Sequence, residues 1–71
     1  MDLAKKIKEI RLHNFLSQEE FAKILGVSYA TVNRWETGRT IPNIKALKKL
    51  ADYCKTENID FDVHEFTTKN R

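Results

Sequence analysis

SQEEFAKILGVSYATVNRWETG, Ser17 to Gly38, holds two short helical patterns, with only Gly26 and Val27 between the first and the cap of the second. Ser17 has Glu20 three residues on, the capping-box spacing in which each side chain satisfies the other's orphan amide. Phe21, Ala22 and Leu25 form the apolar stripe, and Gly26 sits where a left-handed residue closes a helix. Ser28 caps the next helix, Val32 and Trp35 point inward, and Gly38 ends it. Helices joined by so short a turn must cross steeply. Ala22 is small enough for close approach, and Val27, Val32 and Trp35 fill the angle. The geometry is that of a helix-turn-helix, whose second helix fits a groove about 12 Å wide.

Helical spacing decides which side of the second of these helices stays free. At about 100° per residue, Ala30 and Arg34 fall about 160° from Val32, and Asn33 and Thr37 flank them. Tyr29 and Thr31 lie at the edges of that face. Its chemistry suits base edges: Arg34 can donate bidentately to guanine, Asn33 can pair with adenine, and the methyls of Ala30 and Thr31 can touch thymine. Ser17, Gln18 and Ser28, near helix starts, can hold phosphates. Thr37, Arg39 and Thr40, at the end of the helix and in the loop after it, are further candidates for the backbone.

Outward from this stretch the chain reads as more helix. Leu3, Ile7 and Ile10 make an apolar face from Asp2 to about His13. Asn14-Phe15-Leu16 is a connector with two apolar anchors. Arg39-Thr40-Ile41-Pro42 is a loop, because proline pushes its predecessor away from helix. Asn43 caps a last helix with Ile44, Leu47, Leu50, Ala51 and Cys54 as its core stripe, and Lys45, Lys48 and Lys49 as its solvated face. Further on, Ile59, Phe61 and Val63 alternate with Asp60, Asp62 and His64, a strand period, whereas a helix would align Ile59, Val63 and Phe66. The composition favours an extended segment.

The 71 residues suffice for one small domain. The basic charge is concentrated: residues 1–50 hold ten Lys and Arg against five Asp and Glu, and the rest hold three against five. That balance is compatible with nucleic acid. One Cys excludes an internal disulfide and suits a reducing cytosol. No apolar run approaches a membrane span and no signal-peptide block opens the chain, so a cytoplasmic protein without membrane contact is expected. Cys54, His13 and His64 lack ligand spacing, so no metal is expected. No glycine loop, catalytic constellation or cofactor motif is present, which argues against an enzyme.

The stretch Leu16 to Pro42, with "IKEIRLHN" before it and "IKALKKLADYC" after, resembles the phage-repressor and Cro-like helix-turn-helix domains, the XRE family. The likeness covers roughly residues 3–54. It implies an all-α, compact four- to five-helix bundle, lambda-repressor-like, that binds operator DNA, usually as a homodimer on a palindrome. It implies base reading at Tyr29, Ala30, Thr31, Asn33 and Arg34, and a phosphate contact at Gln18 that also braces the recognition helix. It further implies a structural pair, Arg11 with Glu36. The expected organisation is a DNA-binding domain over 1–57 and a C-terminal tail over 58–71 that serves dimerisation or a partner. A typical member places a fifth helix where this chain alternates. The tail can therefore pair with its copy in a second subunit, or lie on its own core. Two functions fit: a sequence-specific double-stranded DNA-binding regulator, read as a repressor, or an antitoxin or adaptor that binds a partner protein through residues 58–71.

Overall fold

A computed structural model describes residues 2–62. Its four helices are α1 (Leu3–His13), α2 (Gln18–Leu25), α3 (Tyr29–Glu36) and α4 (Ile44–Thr56), with no strand among the described residues. The all-α expectation holds, with four helices among the described residues. Each helix starts on a capping side chain: Asp2, Ser17, Ser28 and Asn43 accept from an amide two or three residues on. At Ser17 the box is reciprocal, since Glu20 accepts from the Ser17 amide at 2.8 Å.

The helices end alike. The positive-φ residues are Phe15, Gly26, Gly38 and Asn58, and each directly follows a helix's last turn. In every case the residue after it donates back five positions: Leu16 to Arg11 O, Val27 to Ala22 O, Arg39 to Arg34 O, Ile59 to Cys54 O. The left-handed residue itself donates three positions back, to Leu12, Lys23, Trp35 and Lys55. This is the Schellman closure, and it satisfies carbonyls that a helix end leaves orphaned. The glycines signalled two of the four. Phe15 takes the same conformation, which turns its ring to solvent at 91% exposure. Of the two anchors expected in the connector, only Leu16 packs on the core.

Ile7 and Ile10 of α1, Phe21, Ala22 and Leu25 of α2, Val32 and Trp35 of α3, and Ala46, Leu47, Leu50 and Cys54 of α4 form one buried cluster. Burying such side chains stabilises each by roughly 1.5–3 kcal/mol for the larger ones. The Tyr53 ring meets Phe21 edge-on, centroids 5.5 Å apart. The α4 stripe differs from expectation at one end. Ile44 is 72% exposed and Ala46 is buried instead. The core centres on Leu50, and Ile44 lies about 120° round the helix from it, beyond the packed sector.

α4 runs on through Lys55 and Thr56, two residues past the last stripe residue, Cys54. Residues 59–62 have no regular hydrogen-bonded structure, yet they alternate: Ile59 and Phe61 pack on the core, while Asp60 and Asp62 face solvent. Here the chain lies on its own core. Val63, His64 and Phe66, and with them the remainder of the expected tail, lie outside the described residues.

Candidate nucleic-acid interface

α3 presents an uncovered face because its anchors are all on the other side. Val32 and Trp35 are buried, whereas Tyr29, Ala30 and Arg34 are exposed. Tyr29 occupies the first turn and is about half exposed, at 53%. Arg34 makes no ion pair or hydrogen bond through its side chain among the described residues, and neither does Arg39. Both guanidiniums keep five donors for an external acceptor.

The loop after α3 is held by one carbonyl. Arg34 O accepts from the Arg39 amide at 2.9 Å, the Thr40 amide at 3.4 Å and the Thr37 hydroxyl at 3.3 Å. Thr37 also donates to Asn33 O at 2.9 Å. Arg39 and Thr40 are thereby kept close to the end of α3. The Thr37 hydroxyl proton is spent inside the helix, which leaves its oxygen as an acceptor.

Two other candidates are partly committed to capping. The Ser28 hydroxyl bonds the Thr31 amide at 3.1 Å and the Thr31 hydroxyl at 2.9 Å. Thr31 is half-buried beside a groove of about 400 Å³ that Val27, Trp35, Ile41, Lys45 and Lys49 also line. It faces the α2–α3 turn more than the open side of α3. Ser17 gives its amide to Glu20, so its hydroxyl hydrogen is what it has left to donate. Lys49 comes close to the turn: a Cβ placed on Gly26 would lie 3.1 Å from its ammonium.

Beneath the face runs a chain of polar contacts. Arg11 Nε and Nη2 donate to Glu36 Oε2 and Oε1 at 2.7 and 2.9 Å, and Arg11 Nη1 donates to Leu16 O at 2.7 Å. The Arg11 guanidinium is held above its ordinary pKa, first by the hydrogen bond to Glu36. Glu36 Oε1 also accepts from Gln18 Nε2 at 2.9 Å, and Gln18 Oε1 accepts from Asn33 Nδ2 at 3.3 Å. The pairing of Arg11 with Glu36 was expected, and so was a brace from Gln18 to α3; that the brace reaches Asn33 was not. Separation along the chain hides it: the two residues are 15 apart, and only the crossing of α2 and α3 brings them together. A second unforeseen tie links Asn14 Nδ2 to the Tyr53 hydroxyl at 2.8 Å and to Glu57 at 2.9 Å, pinning the α1–α2 connector to the end of α4.

The sequence profile of the helix-turn-helix family matches residues 7–60. The chain belongs to the XRE-type helix-turn-helix family, a family of DNA-binding regulators. Among curated proteins it is 32% identical over 53 residues to the HTH-type transcriptional activator BcrR of Enterococcus faecalis. It is 40% identical over 58 residues to the type II methyltransferase M.SsoII of Shigella sonnei. These matches take in 75% and 78% of this chain but only 26% and 15% of the relatives. The likeness is thus to one module of larger proteins. No solved structure gave a significant match.

Among the described residues of this XRE-type chain, no cluster of His, Cys, Asp and Glu could hold a metal ion. No described helix is long and apolar enough to cross a membrane. Cys54 is buried, and desolvation pushes its thiol up to about 11. That is the behaviour of a packing residue, since the reactive form is the thiolate.

Proposed function

We propose that the chain regulates transcription by binding double-stranded DNA sequence-specifically, with α3 laid in the major groove. The observation that carries this reading is the open outer face of α3, where Arg34 is exposed and without a partner among the described residues. Arg34 and Asn33 read guanine and adenine edges, and Tyr29 and Ala30 add contacts from the first turn. Thr31, turned toward the groove, contributes its methyl at the edge. Gln18, Arg39 and Thr40, with the hydroxyls of Ser17 and Ser28, supply backbone contacts, whereas Thr37 spends its hydroxyl proton on Asn33 O and Arg34 O and has none to give a phosphate.

The domain measures 32 × 27 × 20 Å, enough for one half-site. A single module of this kind buries only roughly 600–1,000 Å² of protein on DNA. Two copies on a palindrome, their half-sites about 34 Å apart, give the affinity one lacks. Acting by occupancy, such a dimer represses; the BcrR relative is named an activator, so a promoter-fused reporter must assign the sign. The site of action is the cytoplasm, where operator DNA is found.

Selection of bound fragments from random duplex DNA tests the proposal. An enriched palindrome supports it, and so does affinity that falls steeply with salt as phosphate contacts release counterions. No enrichment, or binding indifferent to salt, overturns it.

A further inference from the structure

On the flank of α3 turned away from Gln18, a groove of about 400 Å³ runs between the α2–α3 turn and α4. That volume suits a small molecule. Val27, Ile41 and Ala46 give it an apolar wall, and Lys45 and Lys49 line it from one face of α4. Neither ammonium has an ion pair or hydrogen bond among the described residues, and no Asp or Glu lines the groove. Like charges at this helical spacing repel, so an anion between them is favoured. Two neighbours add donors. Asn43 Oδ1 accepts from the Ala46 amide at 2.8 Å, which leaves Asn43 Nδ2 to give. Trp35 is 4% exposed, and its indole N–H has no acceptor among the described residues. Yet none of their buried side-chain N or O atoms lacks a partner. That N–H therefore belongs to the small part of Trp35 that reaches the surface, and Trp35 lines the groove.

We propose that this groove binds a small aromatic carboxylate, and that its occupation weakens the hold on DNA. The ring covers the wall of Val27, Ile41 and Ala46. The carboxylate, which only accepts, takes the ammoniums of Lys45 and Lys49. A bare inorganic anion would use the charges and leave the apolar wall wet. A neutral aromatic would use the wall and leave the two charges unopposed. A DNA phosphate is the rival for the lysines, but it offers nothing to the wall. The regulatory half rests on the proposed docking of α3 in the major groove. Thr31 and Trp35 join the groove to α3, and Ile41 joins it to the loop that carries Arg39 and Thr40. An anion held there adds negative charge beside the flank that meets a phosphate strand, and repulsion lowers affinity. By linkage, DNA lowers the affinity for the carboxylate by the same factor.

Titration of 2-naphthoate into the full chain is the test. The chain has a single Trp, so one indole signal in ¹H–¹⁵N spectra reports on the groove. That signal should shift saturably. Lys45→Gln and Lys49→Gln, both at exposed positions, should each weaken the binding by about threefold or more, as loss of an exposed charge pair does. At equal concentration, 2-naphthamide and inorganic phosphate should shift the signal less. Saturating 2-naphthoate should lower operator affinity by about fivefold, the low end of typical couplings, and the drop should vanish when both lysines are replaced. No saturable shift, or an equal one from 2-naphthamide or phosphate, overturns the site. Binding that ignores both lysine variants overturns it too. If those variants instead lower the salt slope of DNA binding, the lysines belong to the phosphate backbone. Binding that leaves operator affinity unchanged overturns the regulatory half alone. A wild-type chain that selects no operator overturns the DNA reading, while the indole signal still reports on the groove separately.

Discussion

Arg11 and Glu36 stand 25 positions apart and meet side-on through two hydrogen bonds, with the two side chains 10% and 4% exposed. The pair ties the end of α1 to the end of α3, and Arg11 also holds the carbonyl of Leu16 in the connector to α2. Three helices therefore depend on one guanidinium. Removing either partner strands a charge that water barely reaches. Arg11→Ala or Glu36→Ala should cost roughly 3–5 kcal/mol, while replacing both with apolar residues of similar volume should recover much of that loss. Urea unfolding of the two singles and the double checks this. If the double were as unstable as the sum of the singles, the stranded-charge account would be wrong.

Phe15 supplies a case where a substitution should help. It holds a φ of 57° and exposes 91% of its surface, so its ring adds little to the core. A left-handed residue with a Cβ costs roughly 1–2 kcal/mol that glycine escapes. Glycine's greater freedom in the unfolded chain takes back roughly 0.5–1 kcal/mol. Phe15→Gly should leave stability unchanged or raise it by up to about 1 kcal/mol. Thermal unfolding decides: a clear drop in Tm would mean that the ring makes a contact important to the fold.

How much of this was readable beforehand follows from where the signals sit. Ser17, Ser28 and Asn43 announce helix starts because capping is a local event between residues three apart. Gly26 and Gly38 announce ends because only glycine takes that conformation freely. Phe15 and Asn58 end helices in the same way without that signal, which is why Phe15 reads from the sequence as an apolar anchor of the first connector and not as an exposed left-handed residue. Ile44 was misplaced because a stripe read from spacing alone has no fixed centre; packing around Leu50 sets it. The outward face of α3 was legible since Val32 and Trp35 fix its rotation. The resemblance implied a brace from Gln18 to α3, but that it lands on Asn33 was not legible, because it depends on how two helices cross.

Glu20 makes the capping box sensitive to acid. Hydrogen bonds from Ser17 hold its carboxyl below the ordinary value of 4.5. A depressed folded pKa stabilises the fold above the unfolded value and loses that contribution as pH falls through the folded one. Glu20→Gln keeps the box's geometry without the charge. The variant should be slightly less stable than wild type at neutral pH, and the gap should close as pH drops below about 4.5. Parallel urea titrations from pH 7 to pH 3 measure it, and a gap that widens in acid contradicts the assignment.

Cys54 should be inert while the chain is folded. Burial among Ile7, Leu50 and their neighbours raises its thiol to about 11, so little thiolate exists near neutrality. Alkylation by iodoacetamide at pH 8 should be slow in native buffer and should accelerate by orders of magnitude in denaturing urea. Mass spectrometry after timed quenching follows both. Equal rates in the two conditions would show that the core around Cys54 opens readily.

Arg34 and Arg39 separate the two kinds of contact that the proposed function requires. Both are exposed and lack an internal ion pair among the described residues, and Arg34 O fixes the backbone of the loop that carries Arg39. Their positions differ in what they can reach. Arg34 points out from the middle of the exposed α3 face, and in the proposed docking its forked donors meet guanine O6 and N7. Arg39 lies past the end of α3, which in the proposed docking puts it beside the sugar–phosphate backbone. Arg34→Ala should therefore cost about 1–3 kcal/mol on the best operator and relax selectivity at one base position. Arg39→Ala should weaken all sequences about equally and lower the slope of log affinity against log salt by about one. Gel shifts on the selected operator, on single-base variants and on unrelated duplex, each across a salt series, resolve the two patterns. If Arg34→Ala weakened every sequence equally, that guanidinium would be a backbone anchor, and base readout would have to come from Asn33 and Tyr29.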